Sequence, residues 1–223
     1  MPTTENPIAH PWREVEIPLQ AQRDYANAYT DVEVWADFTH EDGTTLRRPA
    51  FWDGGRTWKI RFASPLDSGT WTWRTAANVD DAGLAGQSGT IACAPAPTPE
   101  HNRFYRHGFW HMSPGGRNLV HADGRAAVLA GDTAWGLPWR ATLDQCRVYA
   151  EDRQSKGFNA VLLMSVQPDM DARGPRERSA DEGFDVGFED LSSGHINQLN
   201  PAYFQYLDGL IAILVEHEIV PVF

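Results

Sequence analysis

The residues best suited to chemistry cluster in one short stretch, Gly131-Asp132-Thr133-Ala134-Trp135, directly after an apolar run at 126–130. A carboxylate emerging from an apolar strand is costly unless it has a partner or a task. Asp132 therefore reads either as a carboxylate with a task at the strand end or as an N-cap or turn aspartate that fixes its loop. Trp135 and Trp139 flank the same stretch. Indole faces are broad, apolar and weakly electronegative, which suits the C–H surface of a sugar ring; the alternative is loop packing. Gln167 ends the next apolar run, 160–166, and offers one acceptor and two donors to paired hydroxyls, unless it is an ordinary loop glutamine.

Further along, Asp169, Asp171, Glu177, Asp181, Glu182, Asp185, Glu189 and Asp190 form an acidic loop that also contains Arg173, Arg176 and Arg178. This reads as a solvated loop, because the tight spacing of a calcium loop is missing and no metal or cofactor is implied. His195 and Asn197 close the loop and either reach the mouth or serve structure. Gly131 and Gly136 do not make a dinucleotide fingerprint, and neither a phosphate loop nor a nucleophile elbow occurs. Glu216-His217-Glu218 lacks the second histidine of a metalloprotease helix. Hydride transfer, phosphoryl transfer and serine-based hydrolysis all lose weight.

These side chains need a scaffold that holds them at strand ends. The run at 126–130 reads as a buried parallel strand. A helix follows, opened by Thr142 with Gln145 in a capping box and closed by Gly157. A second buried strand spans 160–166. The next helix starts at Asn200 and Pro201, with Leu199 and Phe204 placed as a hydrophobic staple. Its apolar face is predicted to be Phe204, Leu207, Ile211, Leu214 and Val215, and a third strand spans 219–223. Strands separated by helices imply right-handed crossovers and a parallel sheet. In such sheets and barrels ligands sit outside the carboxyl ends of the strands. A (β/α)₈ barrel typically takes ~250 residues, whereas 126–223 supplies about two and a half βα units. An apolar edge left open at 219–223 would invite aggregation. The expectation is therefore the N-terminal portion of a longer chain, with a three-stranded domain completed by a partner as the alternative.

Before residue 95 the texture differs. Val32, Val34, Ala36 and Phe38 alternate with polar residues and Trp35, and Asp53-Gly54-Gly55 joins the runs 48–52 and 57–62 as a hairpin. Thr70-Trp71-Thr72-Trp73-Arg74 is another alternating strand. Short strands with turn chemistry between them predict an all-β sandwich over 8–94. Prolines at 95, 97 and 99 then open a stiff stretch that leads, with a small hairpin around Pro114-Gly115-Gly116, through 95–125.

Of the 223 residues, 42% are hydrophobic and 11% aromatic, enough for a sizeable core. The net charge of −11 repels phosphate backbones and anionic lipid, so nucleic acid and membrane are poor partners. No apolar window is long enough to span a bilayer. Residues 1–19 show no basic segment followed by an apolar core, which points to a cytoplasmic chain unless a true N-terminus lies upstream. Cys93 and Cys146 fit neither a disulfide framework nor a zinc spacing and read as free thiols.

The stretch Leu129-Ala130-Gly131-Asp132-Thr133-Ala134-Trp135 resembles the signature of the apiosidase-like glycoside hydrolases. The likeness continues through Gly157-Phe158-Asn159 and Asn200-Pro201-Ala202-Tyr203-Phe204. The front part, with Pro49-Ala50-Phe51-Trp52-Asp53-Gly54-Gly55, Trp58-Lys59-Ile60-Arg61-Phe62 and Gly69-Thr70-Trp71, is similar to the β-sandwich that commonly precedes such barrels. The resemblance implies a multi-domain chain: an all-β sandwich, then the first two and a half βα units of a TIM barrel over 126–223. It implies hydrolysis of a glycosidic bond in polysaccharide side chains by two carboxylates on later strands, around four and seven. With retention these stand about 5–5.5 Å apart. Both would lie beyond residue 223, leaving Asp132, Trp135, Gln167 and Trp139 as substrate-binding residues and this portion alone inactive. The implied partner is a carbohydrate; a non-catalytic carbohydrate-binding or scaffolding protein is the rival reading.

Overall fold

The computed structural model describes residues 7–166 and 186–223. Two compact units emerge, Met1–Phe109 and Trp110–Phe223.

Among the described residues of the first unit, seven strands form one sheet: β1 (Ile8–Ala9), β2 (Glu14–Gln20), β3 (Val34–His40), β4 (Thr45–Trp52), β5 (Thr57–Ala63), β6 (Thr70–Ala77) and β7 (Ser88–Cys93). Their order is β1-β7-β6-β3-β4-β5-β2. Short helices α1 (Ala28–Asp31) and α2 (Arg103–His107) complete the unit. β4 does double duty: residues 45–49 pair with β3 and residues 50–52 with β5. Pro49, which has no N–H to give a ladder, is the last β4 residue paired with β3 before the strand changes partner. The sheet folds over at this point, so that inward side chains from its two halves meet. The Phe38 and Phe62 rings stack at 4.2 Å, and Phe62 meets Trp71 edge-on at 5.2 Å. The buried Trp71 indole donates to the Ser64 hydroxyl at 3.0 Å, which removes the penalty of hiding its N–H. Alternation predicted β3 to β6 well; the hairpin at Asp53-Gly54-Gly55 forms, with Gly54 and Gly55 at φ 103° and 52°. β1, β2 and β7 were not distinguished by pattern. The proline-rich stretch is tied back to this unit. His10 Nδ1 lies 2.9 Å from the Pro95 carbonyl, Arg13 meets Glu100 at 2.5 Å, and the Arg13 guanidinium lies 4.3 Å from the Tyr105 ring.

The second unit opens with a small antiparallel sheet, β8 (Trp110–Met112), β9 (Leu119–His121) and β10 (Ala126–Ala127). Three parallel strands follow in sequence order: β11 (Gly131–Thr133), β12 (Ala160–Leu162) and β13 (Val220–Val222). Helices α3 (Leu137–Arg140), α4 (Leu143–Ser155) and α5 (Pro201–Glu216) lie between them in the chain. The predicted caps hold: Thr142 and Gln145 form the capping box, Asn200 caps α5, and Gly157 takes φ 83° after α4. Cys146, Ala150, Val161, Leu163, Leu210, Leu214 and Ile219 make the core between helices and strands.

Two expectations need correction. The apolar run 126–130 is not the first parallel strand: Ala126 and Ala127 pair with β9, while Val128 and Leu129 are 80% and 52% exposed. The parallel ladder starts at Gly131, after Asn159 has bonded the Val128 carbonyl and the Ala130 N–H at 2.6 and 2.8 Å. In α5 the buried face is Tyr203, Leu207, Leu210, Ile213 and Leu214, rotated from the predicted one. Tyr203 explains the shift, because its hydroxyl can be buried once it donates to the Ser165 carbonyl at 2.6 Å. Phe204 instead meets Phe188 edge-on at 5.8 Å, and Phe188 bridges to Leu199.

Two measurements follow. Phe62→Ala opens a cavity in the folded sheet and is expected to cost about 3–5 kcal/mol in urea unfolding of the first unit. Burial pushes the Cys146 thiol up to about 11 against the opposing charge of Arg147. Its protonated form is the one the fold favours. The contribution is thus whole below the ordinary thiol value of 9.0 and is lost as pH rises toward about 11. Cys146→Ala should flatten that part of the stability–pH curve.

Candidate functional site

Period-2 alternation decides what the strand residues of the second unit can do. In the ladder Asp132 stands opposite Val161, which stands opposite Pro221. Val161 is fully buried against α4 and α5, so Asp132 shares the helix-facing side. The Asp132 Oδ2 atom accepts from the Tyr149 hydroxyl at 3.0 Å and lies 2.7 Å from Arg153 Nε. The Arg153 contact is a charge–charge contact rather than an aligned hydrogen bond. Oδ1 accepts from the Thr133 N–H at 2.7 Å. Arg153 is held in turn by the rings of Tyr149 and Phe158, at 5.2 and 5.4 Å. Burial first, and then the Asp132 carboxylate, push the Tyr149 phenol far above its ordinary value, so it stays a donor. With both oxygens engaged, Asp132 anchors the β11 end to α4.

Thr133 lies on the other side of the sheet with Leu162 and Val222, each of the latter two 38% exposed. Beyond the strand ends, the Ala134 N–H donates to the Leu162 carbonyl at 3.1 Å and the Met164 N–H to the Trp135 carbonyl at 3.3 Å. The Trp135 backbone is therefore pinned beside the carboxyl end of β12, while its side chain is 51% exposed. Trp139 is different: on α3 it is 5% exposed and serves packing. Gln167 and most of the acidic loop, from Asp169 to Asp185, lie outside the described residues. Asp190 gathers the loop's end by accepting from the Asn197 and Gln198 N–H groups at 3.1 and 3.0 Å, and the His195 N–H donates to its carbonyl at 3.3 Å. Backbone closure thus involves His195 and Asn197. Of the four predicted binding residues, the fold brings Asp132 and Trp135 to the same strand end. Among the described residues no three His, Cys, Asp or Glu side chains are grouped to hold a metal.

Sequence reasoning missed Tyr149 and Arg153. Their i, i+4 spacing on α4 was the available signal, since an aspartate facing a helix calls for donors one turn apart. Arg153→Met strands a half-buried carboxylate and is expected to destabilise the second unit by about 1–3 kcal/mol. Adding Asp132→Leu should recover most of that loss, as read by a double-mutant cycle in thermal unfolding.

Residues 113–223 match the family described as "Apiosidase-like, catalytic domain", and residues 8–78 match a domain of unknown function, DUF5060. A crystal structure from Bacteroides vulgatus, named as a "putative glycoside hydrolase", is 21% identical with a TM-score of 0.74; the match covers 97% of this chain and 40% of that one. The chain thus spans 40% of the length of that relative, whose likeness is one of fold. A glycoside hydrolase family 5 structure, also from Bacteroides vulgatus, is 22% identical over 52% of this chain and 24% of its own, at a TM-score of 0.36 too low to carry weight. No curated protein matches. Residues 113–223, whose first parallel strand lies within the Gly131-to-Trp135 stretch, belong to the apiosidase-like catalytic-domain family, and a DUF5060 domain precedes them in the sequence.

Proposed function

We propose that this chain forms the front portion of a glycoside hydrolase that cleaves glycosidic bonds in polysaccharide side chains. The observation that carries the reading is Trp135, half-exposed at the carboxyl end of three consecutive parallel strands in a segment matching a glycosidase catalytic-domain family. In this reading the three strands begin a (β/α)₈ barrel, the first unit is a β-sandwich, and 8–94, 95–125 and 126–223 are its natural segments. Ligands of such barrels gather at the carboxyl ends of the strands. The indole face of Trp135 takes the apolar side of a sugar ring there, and Gln167, next along from β12, meets its hydroxyls. Asp132 shapes the site by fixing the strand end, and Trp139, buried on α3, serves packing rather than presenting its face to solvent.

Asp132 is turned to the helix side of its strand and held there by Tyr149, Arg153 and the Thr133 N–H, which suits a site-shaping carboxylate rather than a nucleophile or proton donor. The acid/base and the nucleophile are therefore assigned to later strands, about 5–5.5 Å apart for a retaining displacement. Residues 1–223 alone are expected to release no nitrophenol from aryl glycosides. A chain carrying these residues together with later strands is expected to turn over, with retained anomeric configuration by proton NMR. In that longer chain Trp135→Ala should raise KM ~10-fold, the loss of one stacking contact, with kcat less affected. Turnover by 1–223 alone that vanishes in Asp132→Asn would overturn this assignment.

A further inference from the structure

The outer face of the first unit's sheet carries two aligned polar rows that its core does not use. Across β4, β3, β6 and β7, Thr45, Thr39, Thr72 and Thr90 stand opposite one another. Two residues along, Arg47, Asp37, Arg74 and Ser88 form the next row. Neighbouring strands place these side chains about 5 Å apart. A groove of about 380 Å³ lies between the rows on β3 and β6, lined by Asp37, Thr39, Thr72 and Arg74 among others. That volume falls at the lower end of small-molecule sites, ~300–1,000 Å³. Trp35 follows on the same face, half-buried, with the Arg47 guanidinium 5.5 Å from its ring.

Charge matching within the groove is incomplete. Arg47 takes both Asp37 oxygens, at 2.6 and 2.8 Å. Arg74 stands opposite the same aspartate and is left without a hydrogen bond, ion pair or ring contact among the described residues. Elsewhere in this unit Arg13, Arg56, Lys59 and Arg61 each meet a carboxylate. An exposed guanidinium with no carboxylate partner among the described residues is a fork open to a planar anion. The Thr72 hydroxyl donates to the Thr39 carbonyl at 3.2 Å and keeps its lone pairs for an incoming donor.

We propose that this face binds an acidic saccharide. Arg74 engages a uronate carboxylate in bidentate fashion, the threonine row meets ring hydroxyls, and Trp35 with Arg47 borders the neighbouring sugar. The choice of a saccharide rests on the glycosidase reading above; the preference for an anion rests on Arg74.

Cellotriuronate and cellotriose share linkage and ring and differ in the carboxylates, so calorimetric titration of the whole chain with each isolates the claim. Cellotriuronate is expected to bind at least ~10-fold more tightly than cellotriose. Arg74→Gln should remove most of that difference, Arg74→Lys part of it, and Thr72→Val should weaken both sugars severalfold. Because Arg74 is exposed and makes no ion pair among the described residues, the thermal midpoint should not move. Equal binding of the two sugars, no binding of either, or an unchanged affinity in Arg74→Gln would overturn the proposal. So would succinate binding as tightly as cellotriuronate, which would make this a simple carboxylate site. The readout is independent of turnover: a longer chain without glycosidase activity leaves a positive titration standing, and an active one does not rescue a negative titration.

Discussion

A carboxylate placed in an apolar layer must be given donors, and the second unit is arranged around that requirement. Asp132 sits within β11, in register with the fully buried Val161, where an unpaired charge would cost several kcal/mol. Tyr149 and Arg153 of α4 supply the partners, and the Thr133 N–H supplies a local one. The consequence reaches past electrostatics. The strand end is tied to the helix that follows it, so the Ala134–Trp135 backbone is set beside β12, and the indole is left facing solvent at the carboxyl ends of the strands.

The first unit solves a different problem with the same alternation. One sheet has to bury an inner face without a second layer of helices, and it does so by folding at β4, where Pro49 marks the change of partner. Inward residues become the Phe38–Phe62–Trp71 cluster. Outward residues on the same strands become ordered polar rows, because a flat ladder repeats side chains at strand spacing. The pleat that makes the core thus also produces a regular hydroxyl and guanidinium surface.

These two arrangements leave two different surfaces exposed. The parallel strands present an aromatic residue at their carboxyl ends, the usual place for chemistry in such sheets. Residues 113–223, which carry these strands, match the apiosidase-like catalytic-domain family. The folded sheet of the first unit has its own open groove, where Arg74 has no carboxylate partner among the described residues.

Much of this was legible in the chain. Caps at Thr142 and Asn200, the stop at Gly157, the Asp53-Gly54-Gly55 hairpin and the parallel succession of strands all follow from local rules, because each depends on residues within a few positions of one another. The Gly131-to-Trp135 stretch, read as the loop after a strand at 126–130, instead contains the first parallel strand, Gly131–Thr133, with Ala134 and Trp135 leaving its end. Whether Asp132 faced a ligand or a helix was beyond the sequence. A shift of the strand start from 126 to 131 reverses nothing in composition, yet period-2 alternation makes face a matter of register, and register is set by partners far along the chain. The same holds for Trp135 and Trp139, four residues apart and alike in type, of which tertiary packing exposes one and buries the other. It holds again for Arg74, whose availability depends on Arg47 having reached Asp37 first, across a strand pairing that local pattern cannot specify. Local chemistry determined which elements form; long-range register decided which side chains those elements leave free.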